Sequence, residues 1–218
     1  MKKIVLTSNT SWSVWNFRRA LIEALLERGY EVFVVAPKDE FSNRLPNFIP
    51  LKNLDRKGKN PIKDFMLLLE YIKIYKSVKP DVVLNFTIKP NIYSSLACRF
   101  LGIRCISTIT GLGYVFIKES LLTKLIKFIY KIALGKNQRI VFQNNEDRDL
   151  FIKNSLVNKN QTVVIRGSGV DIKYFSPDFC QEVKKDSFIF LMVSRLLWDK
   201  GVREFVEAGK DLKKLYDD

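Results

Sequence analysis

Two cations near the end of the sequence have the spacing of an anion-binding turn. Arg195 and Lys200 lie between an apolar run ending at Ser194 and a helical pattern beginning at Val202. Such a turn collects free N–H groups at a helix N-terminus, and two positive charges within reach of one anion strengthen it. A diphosphate would fit there. The alternative is that both side chains are surface charges around a strand-to-helix turn.

A glycine-bearing loop, RGSGVD, precedes this turn. Gly167 and Gly169 lie one residue apart, shortly after a predicted strand. Glycine permits positive φ angles and lets a ligand approach the backbone closely. The loop therefore either contacts a ligand or shapes the junction between two domains, and the two roles are compatible.

Polar residues also follow two of the earlier predicted strands. Asn9 and Thr10 come after the first strand, where they are suited either to cap the next helix or to contact a ligand. Capping is the simpler interpretation. Lys89 stands just before a proline at a predicted helix start, where it either meets an anionic group or faces solvent.

A further turn, TGLGY, places two glycines beside an aromatic ring. Gly111 and Gly113 give the backbone freedom, and Tyr114 offers a flat apolar surface, a combination that suits the wall of a pocket. The alternative is a glycine-bent loop with Tyr114 packed in the core.

The sequence from Lys118 to Arg139 predicts a basic amphipathic helix. Lys124, Lys127 and Lys131 fall on one helical stripe, and apolar residues form a wide arc beside them. A helix with this excess of apolar surface can lie in the interface of an anionic membrane. The alternative is a helix that covers the sheet and turns its lysines to water.

The elements that must position these residues alternate between strands and helices. We predict strands at Lys3–Thr7, Glu31–Ala36, Asp81–Phe86, Arg104–Ile109, Arg139–Gln143, Thr162–Ile165 and Ser187–Ser194. Helices are predicted at Val14–Arg28, Ile62–Val78, Asn91–Leu101, Ser120–Leu134, Glu146–Asn154 and Val202–Leu215. This alternation predicts an α/β fold with a doubly wound, Rossmann-like parallel sheet in residues 1–180. Residues 181–218 are predicted to be a linker and the first βα unit of a second such domain.

Composition excludes several kinds of site. The 218 residues carry a formal net charge of +14, which favours anionic partners. The absence of histidine removes histidine bases, histidine metal ligands and every triad that depends on imidazole. Three cysteines without CxxC spacing indicate neither a disulfide framework nor a zinc site, so a reducing cytoplasm fits best. No apolar run has the length of a signal peptide core or a membrane span.

Longer stretches resemble a known enzyme family. The end of the chain, with GSGVDIKYFSP followed by FLMVSRLLWDKGVREFVEA, resembles the domain junction of the retaining GT-B glycosyltransferases of family 4. The remainder is similar to the branch found in bacterial capsule, lipopolysaccharide and protein-glycan assembly, through SNTSWSVWNFRRAL, NFTIKPNIYSSLA, TGLGYVF and VFQNNEDRDLF. The resemblance covers the whole chain.

This resemblance implies an N-terminal domain that holds an acceptor and a C-terminal domain that holds a nucleotide-sugar. Arg195 and Lys200 match the R-x4-K pair with which the family holds the donor diphosphate. The loop at Gly167 and Gly169 would approach the donor. No catalytic base is assigned, and the family requires neither a metal nor another cofactor. The family's E-x7-E element does not occur before Asp218, so we expect most of the donor domain to be missing from this chain.

The resemblance also implies an acceptor, which is a glycan linked to a polyprenyl diphosphate or another glycan. The loops at Asn9, Thr10, Lys89 and 111–114 would frame it, and the basic helix would contact the inner face of the cytoplasmic membrane.

We therefore predict a retaining glycosyltransferase that passes a sugar from a nucleotide donor, expected to be a UDP-sugar, to a lipid-linked glycan. The alternative is a non-catalytic remnant that keeps acceptor or membrane binding only. A nucleic-acid partner is not expected, because only the charge favours it and no RNP, KH or zinc-finger pattern occurs. The first turn lacks GxGxxG, which disfavours a dinucleotide oxidoreductase.

Overall fold

The computed structural model describes residues 1–56, 58, 60–111, 121–179 and 189–216, and of residues 121–123, 179 and 199 it describes the backbone only. The chain divides into two compact units, Met1–Val170 and Asp171–Asp218. The predicted domain boundary at residues 180 and 181 lies outside the described ranges and stays a prediction.

The first unit is built on a sheet of seven parallel strands in the order β3-β2-β1-β4-β5-β6-β7. The strands are β1 (Lys3–Thr7), β2 (Glu31–Ala36), β3 (Phe48–Pro50), β4 (Val82–Phe86), β5 (Arg104–Ile109), β6 (Arg139–Phe142) and β7 (Thr162–Val164). In the central pairs, Val5 lies opposite both Phe33 of β2 and Val83 of β4. The strand order reverses at β1, which confirms the predicted doubly wound α/β fold.

Helices connect these strands across both faces of the sheet. The described ranges contain α1 (Ser11–Glu27), α2 (Pro61–Val78), α3 (Ser95–Leu101), α4 (Leu121–Leu134), α5 (Asn145–Lys153) and α6 (Val202–Leu215). Each corresponds to a predicted helix. The largest difference is before α3, where the chain forms a π-helical turn over Pro90–Ser94 instead of the predicted α-helix.

Alternate side chains of the strands pack into separate clusters. Val5 of β1 packs with Tyr71 and Tyr75 of α2, whereas the adjacent Leu6 packs with Val14 of α1. Because successive strand residues point to opposite faces, α1 and α2 cover opposite faces of the sheet. The helices cover the two faces of the sheet, so the carboxyl ends of the strands and the turns that follow them remain available to a ligand.

The second unit contains a helix but, among residues 189–194, no strand. The prediction of a strand at Ser187–Ser194 is wrong for these six residues, and Leu191 and Val193 are 79% and 87% exposed. An apolar strand is stabilised by a neighbouring strand and a packed layer, and the described part of this unit offers neither. Helix α6 occupies Val202–Leu215, as predicted.

Thr10 determines where α1 begins, and its loss should destabilise the first unit. Its Oγ1 accepts a hydrogen bond from the backbone N–H of Ser13 over 3.1 Å. Thr10→Ala should lower the free energy of unfolding by about 1 kcal/mol, because a helix N–H then loses its partner. Urea unfolding followed by circular dichroism measures the change. Thr10→Ser keeps the oxygen and should unfold like the parent; equal losses in both variants would contradict the cap.

Candidate functional site

The turns after β1 and β4 meet where the strand order reverses. The backbone N–H of Asn9 donates a hydrogen bond to the hydroxyl of Thr87 over 3.2 Å. Thr87 has a φ of 71°, which is uncommon for a β-branched residue. In open α/β sheets ligands bind in the crevice at this point. We call the residues 8–10 and 87–91 the switch-point edge.

At the first of these turns the capping interpretation is correct for Thr10. The N–H of Ser13 is held by Thr10, and the hydroxyls of Ser8 and Ser13 lie 2.7 Å apart. Asn9 is half-buried between this cap and Thr87. The predicted contact of Asn9 and Thr10 with an acceptor stays a prediction.

At the second turn, Lys89 is paired with an acid. Its ammonium group forms an ion pair with Asp64, and both side chains are less than one fifth exposed. The other carboxylate oxygen of Asp64 accepts from the hydroxyl of Tyr93 over 2.9 Å. Burial, with the hydrogen bond to Asp64, raises the pKa of the Tyr93 phenol above its ordinary value. Lys89 therefore does not simply face solvent, and its charge is largely balanced.

A buried polar network lies behind the second turn. The amide oxygen of Asn85 accepts from Ser94 over 2.6 Å, and its nitrogen donates to Ser95 and Ser107 over 3.0 and 3.3 Å. Asn137 donates to Ser107 over 2.6 Å and to Ser95 over 3.1 Å. The hydroxyls of Tyr75 and Ser94 are in hydrogen-bond contact. Because this network joins β4 and β5 to the π-helical turn, it fixes the backbone that follows Lys89.

Asn91 contributes one unsatisfied acceptor to the same edge. Its nitrogen donates to the carbonyl of Thr108 over 2.9 Å. Its amide oxygen is buried and has no hydrogen-bond partner among the described residues. A buried acceptor without a donor is unfavourable by about 1–3 kcal/mol, so this oxygen marks a place where a donor would stabilise the edge.

The predicted glycines take the backbone angles that their positions require. Gly111 has a φ of 135°, and Gly167 and Gly169 have φ values of 70° and 76°. Among the described residues, and apart from the adjacent ones in the chain, no atom lies within 4 Å of where a Cβ would stand at any of the three. Gly113 and Tyr114 lie outside the described residues, and their role stays a prediction.

Arg18 is a charged residue near the carboxyl end of β4 that no sequence motif indicates as part of a site. Its guanidinium carbon lies 4.3 Å from the centre of the Phe86 ring, at the end of β4. One of its nitrogens donates to the hydroxyl of Ser168 over 2.9 Å. An arginine inside an amphipathic helix usually faces solvent. The one sequence signal for a partly buried Arg18 is that it lies on the same face of α1 as Val14 and Trp15.

The predicted diphosphate-binding pair belongs to the second unit. Arg195 and Lys200 are both exposed and lie in the turn that leads into α6. Lys200 ends a 3-10 turn, Trp198–Lys200, and Gly201 follows with a φ of 71°. Gly201 offers α6 no side-chain cap. The first N–H groups of α6 therefore follow Lys200 closely in the chain, and the predicted binding of a diphosphate there stays a prediction.

Helix α4 carries the predicted basic stripe. Lys124 and Lys131 are exposed, whereas Lys127 is half-buried and donates to the side chain of Asn154 over 3.0 Å. Leu125 and Phe128 on the same helix are 54% and 60% exposed. No helix in the described ranges combines the length and hydropathy needed to cross a membrane.

The arrangement is suited to binding anions. In the part of the chain that the structure describes, no cluster of acidic residues and cysteines has the geometry to hold a metal ion. In the first unit, the Arg18 guanidinium and the Ser168 hydroxyl are donors of the kind that phosphate oxygens accept from.

Comparison with known proteins gives one family and several relatives. The sequence pattern of the family described as glycosyl transferase 4-like matches residues 3–144, more than half of the chain. An N,N'-diacetylbacillosaminyl-diphospho-undecaprenol alpha-1,3-N-acetylgalactosaminyltransferase of Campylobacter jejuni is 29% identical, over 97% of this chain and 61% of the relative. A UDP-Gal:alpha-D-GlcNAc-diphosphoundecaprenol alpha-1,3-galactosyltransferase of Escherichia coli is 32% identical, over 68% of this chain and 41% of the relative.

Solved structures agree on the fold. A glycosyltransferase from Rickettsia africae superimposes with a TM-score of 0.72 at 20% identity, over 98% of this chain and 58% of the other. The MnaA–UDP structure from S. aureus superimposes with a TM-score of 0.59 at 15% identity, over 84% of this chain and 48% of the other. The chain thus spans less than two thirds of the length of the relatives it matches.

Proposed function

The chain belongs to the glycosyl transferase 4-like family, and from this we propose that it forms the acceptor-side part of a glycosyltransferase. The proposed reaction moves a sugar from a nucleotide-sugar to a glycan that is attached through a diphosphate to a polyprenol. The observation that carries the proposal is the kind of molecule on which the two bacterial relatives act. The names of both describe a diphospho-undecaprenol-linked sugar as the molecule acted upon.

The switch-point edge is the proposed acceptor site. It lies at the point of the sheet where doubly wound folds bind their ligands. The half-buried Asn9, the Lys89–Asp64 pair and the open backbone at Gly111 offer polar groups to a sugar. The exposed rings of Trp12 and Phe17 lie in contact beside it, with centroids 5.4 Å apart, and offer apolar surface to a prenyl chain.

Arg195 and Lys200 are the proposed donor-side residues, and a UDP-sugar is the proposed donor. During transfer the bond between the sugar and the nucleoside diphosphate breaks, and a bond to an acceptor hydroxyl forms on the same face of the sugar. The hydroxyl proton passes to the leaving phosphate oxygen. Two cations would stabilise the negative charge that develops on that phosphate.

Acceptor binding tests the proposed function on the chain itself. We expect the purified 218-residue protein to bind GlcNAc-diphosphate-farnesol saturably, with a change in the fluorescence of the half-exposed Trp12. A folded protein that does not respond to this compound would contradict the proposal. Transfer of labelled sugar from a UDP-sugar by the same protein would exclude the non-catalytic alternative.

We propose peripheral membrane contact through α4. Lys124, Lys131, Leu125 and Phe128 form its exposed basic and apolar surface. Each lysine near an anionic bilayer contributes about 1 kcal/mol. Replacing Lys124 and Lys131 by Gln should therefore weaken binding to phosphatidylglycerol-containing vesicles roughly 30-fold, since about 1.4 kcal/mol corresponds to a factor of ten.

Vesicle sedimentation measures this binding, with pure phosphatidylcholine vesicles as the uncharged reference. The control removes the same charge from α2 through Lys63→Gln and Lys76→Gln, both at exposed positions. If the α2 variant loses as much binding as the α4 variant, the contact depends on net charge alone and the proposed surface is wrong.

A further inference from the structure

Arg18 is held in place by three contacts near the carboxyl end of β4. Its guanidinium lies over the ring of Phe86, with 4.3 Å between the central carbon and the ring centre. One terminal nitrogen donates to the Phe17 carbonyl over 3.3 Å and to the Ser168 hydroxyl over 2.9 Å. Both hydrogen bonds come from the same nitrogen, Nη1, and together with the ring contact they restrict the plane of the guanidinium.

The charge of Arg18 is partly removed from water, and no acid among the described residues pairs with it. None of the ion pairs between described residues includes Arg18, whereas the next residue, Arg19, lies 3.6 Å from Glu23. Burial lowers the pKa of the Arg18 guanidinium from its ordinary value, although an arginine stays protonated under all ordinary conditions. A desolvated cation of this kind is stabilised by an anion.

Ser168 supplies a second donor beside this cation. It stands between Gly167 and Gly169, whose φ values of 70° and 76° turn the loop, and no atom of the described, non-adjacent residues lies within 4 Å of the Cβ position of either glycine. The Ser168 oxygen accepts from Arg18 and therefore still has its own proton to donate. A ligand can thus receive hydrogen bonds from both side chains at once.

We propose that Arg18 and Ser168 form a recognition site for a diphosphate group. A guanidinium whose plane is fixed matches two phosphate oxygens in a fork, which an ammonium group cannot do. Which diphosphate occupies the site rests on the proposed function: it belongs either to the prenyl-linked acceptor or to the nucleotide donor.

The apolar surroundings are compatible with a diphosphate that carries a prenyl chain. Phe17 precedes Arg18 in α1 and packs edge to face against Trp12, and both rings are 47% exposed. Inorganic diphosphate has no group to bury there, so a prenyl diphosphate should bind more tightly if the acceptor is the source.

A titration followed by NMR tests the site on the folded 218-residue protein. The side-chain Nε–Hε signal of Arg18 should shift as inorganic diphosphate is added, and GlcNAc-diphosphate-farnesol and UDP are the two arms that distinguish the sources. Arg18→Gln should weaken binding at least tenfold, since a charge-assisted hydrogen bond contributes about 1.5–3 kcal/mol. Arg18→Lys keeps the charge but loses the fork, and should bind more weakly than the parent and more tightly than Arg18→Gln.

Arg19→Gln is the matched control, because it removes the same charge one residue away, and it should leave binding unchanged. Circular dichroism verifies that each variant is folded.

Equal affinity of parent and Arg18→Gln for every diphosphate, or an equal loss in the Arg19 control, would overturn the proposal. If inorganic diphosphate or UDP binds through Arg18 while GlcNAc-diphosphate-farnesol binds nowhere, the anion site stands and the proposed acceptor function fails. If GlcNAc-diphosphate-farnesol binds independently of Arg18, the function stands and the site fails.

Discussion

Raising the pH from 9 to 11 should destabilise the protein by about 4 kcal/mol through the ionisation of three deeply buried tyrosines. The phenols of Tyr71, Tyr75 and Tyr130 are almost completely buried, and burial raises the pKa of each above its ordinary value. In the unfolded chain a phenol ionises near pH 10, so at pH 11 each ionisation favours the unfolded state by about 1.4 kcal/mol. The folded state keeps the phenols neutral, so their ionisation favours unfolding. Their contribution to the free energy of unfolding is fully present below about pH 10 and is lost as the pH rises towards the pKa of the folded state.

Urea unfolding at several pH values measures this loss, and phenolate absorbance shows when the tyrosines ionise. Tyr75→Phe should be less stable than the parent at pH 8, because it loses the contact with Ser94, yet it should lose about one third less stability between pH 9 and 11. Tyr174→Phe, at a position 67% exposed, is the control and should follow the parent. Ionisation of all tyrosines near pH 10 without unfolding would contradict the prediction.

Asn85→Ala should lower the free energy of unfolding by about 3 kcal/mol. The substitution removes three buried hydrogen bonds, to Ser94, Ser95 and Ser107. Each lost bond costs about 1 kcal/mol, and the serine hydroxyls that remain are buried with fewer partners. Denaturant unfolding at pH 7 measures the change.

The matched control for this substitution is Asn53→Ala. Asn53 also donates from its side chain, to Glu70 over 3.0 Å, but at a part-buried position near the surface where water can replace the bond. Its loss should cost less than about 1 kcal/mol. Similar losses in the two variants would mean that the network behind Lys89 does not stabilise the fold as a unit.

The elements that could be predicted are those that a short run of adjacent residues identifies by its residue types. β1, β2 and β5 begin and end at the predicted residues because each is a run of β-branched and apolar residues bounded by polar turns. β3 was missed because Phe48–Pro50 has only three residues and ends in proline, so no alternation is visible. It exists because β2 offers it an edge to pair with.

Long-range contacts explain the remaining differences. Pro90–Ser94 forms a π-helical turn in which Asn91 and Ser94 are buried, and only their partners on β4 and β5 make that burial favourable. The strand predicted at Ser187–Ser194 is absent from residues 189–194 for the opposite reason, since apolar residues without a neighbouring strand do not form a ladder.

In the candidate site, too, some residues could be predicted from the sequence and others could not. The glycines at 167 and 169 were predicted from their type alone, and their φ values agree with the backbone freedom that the sequence indicates. Arg18 could not be predicted, because its partners, Phe86 and Ser168, are separated from it by 68 and 150 residues. Only folding brings these three residues together.

The backbone conformation of Thr87 affects how much the chain must rearrange when a ligand binds. Its hydroxyl donates to the carbonyl of Phe86 and accepts from Asn9, and its own carbonyl accepts from Asn91 over 3.0 Å. A β-branched residue persists at a φ of 71° only where its surroundings determine it fully. The edge is therefore preorganised: the conformational entropy of arranging it is lost during folding, so binding there should require little further ordering of the chain.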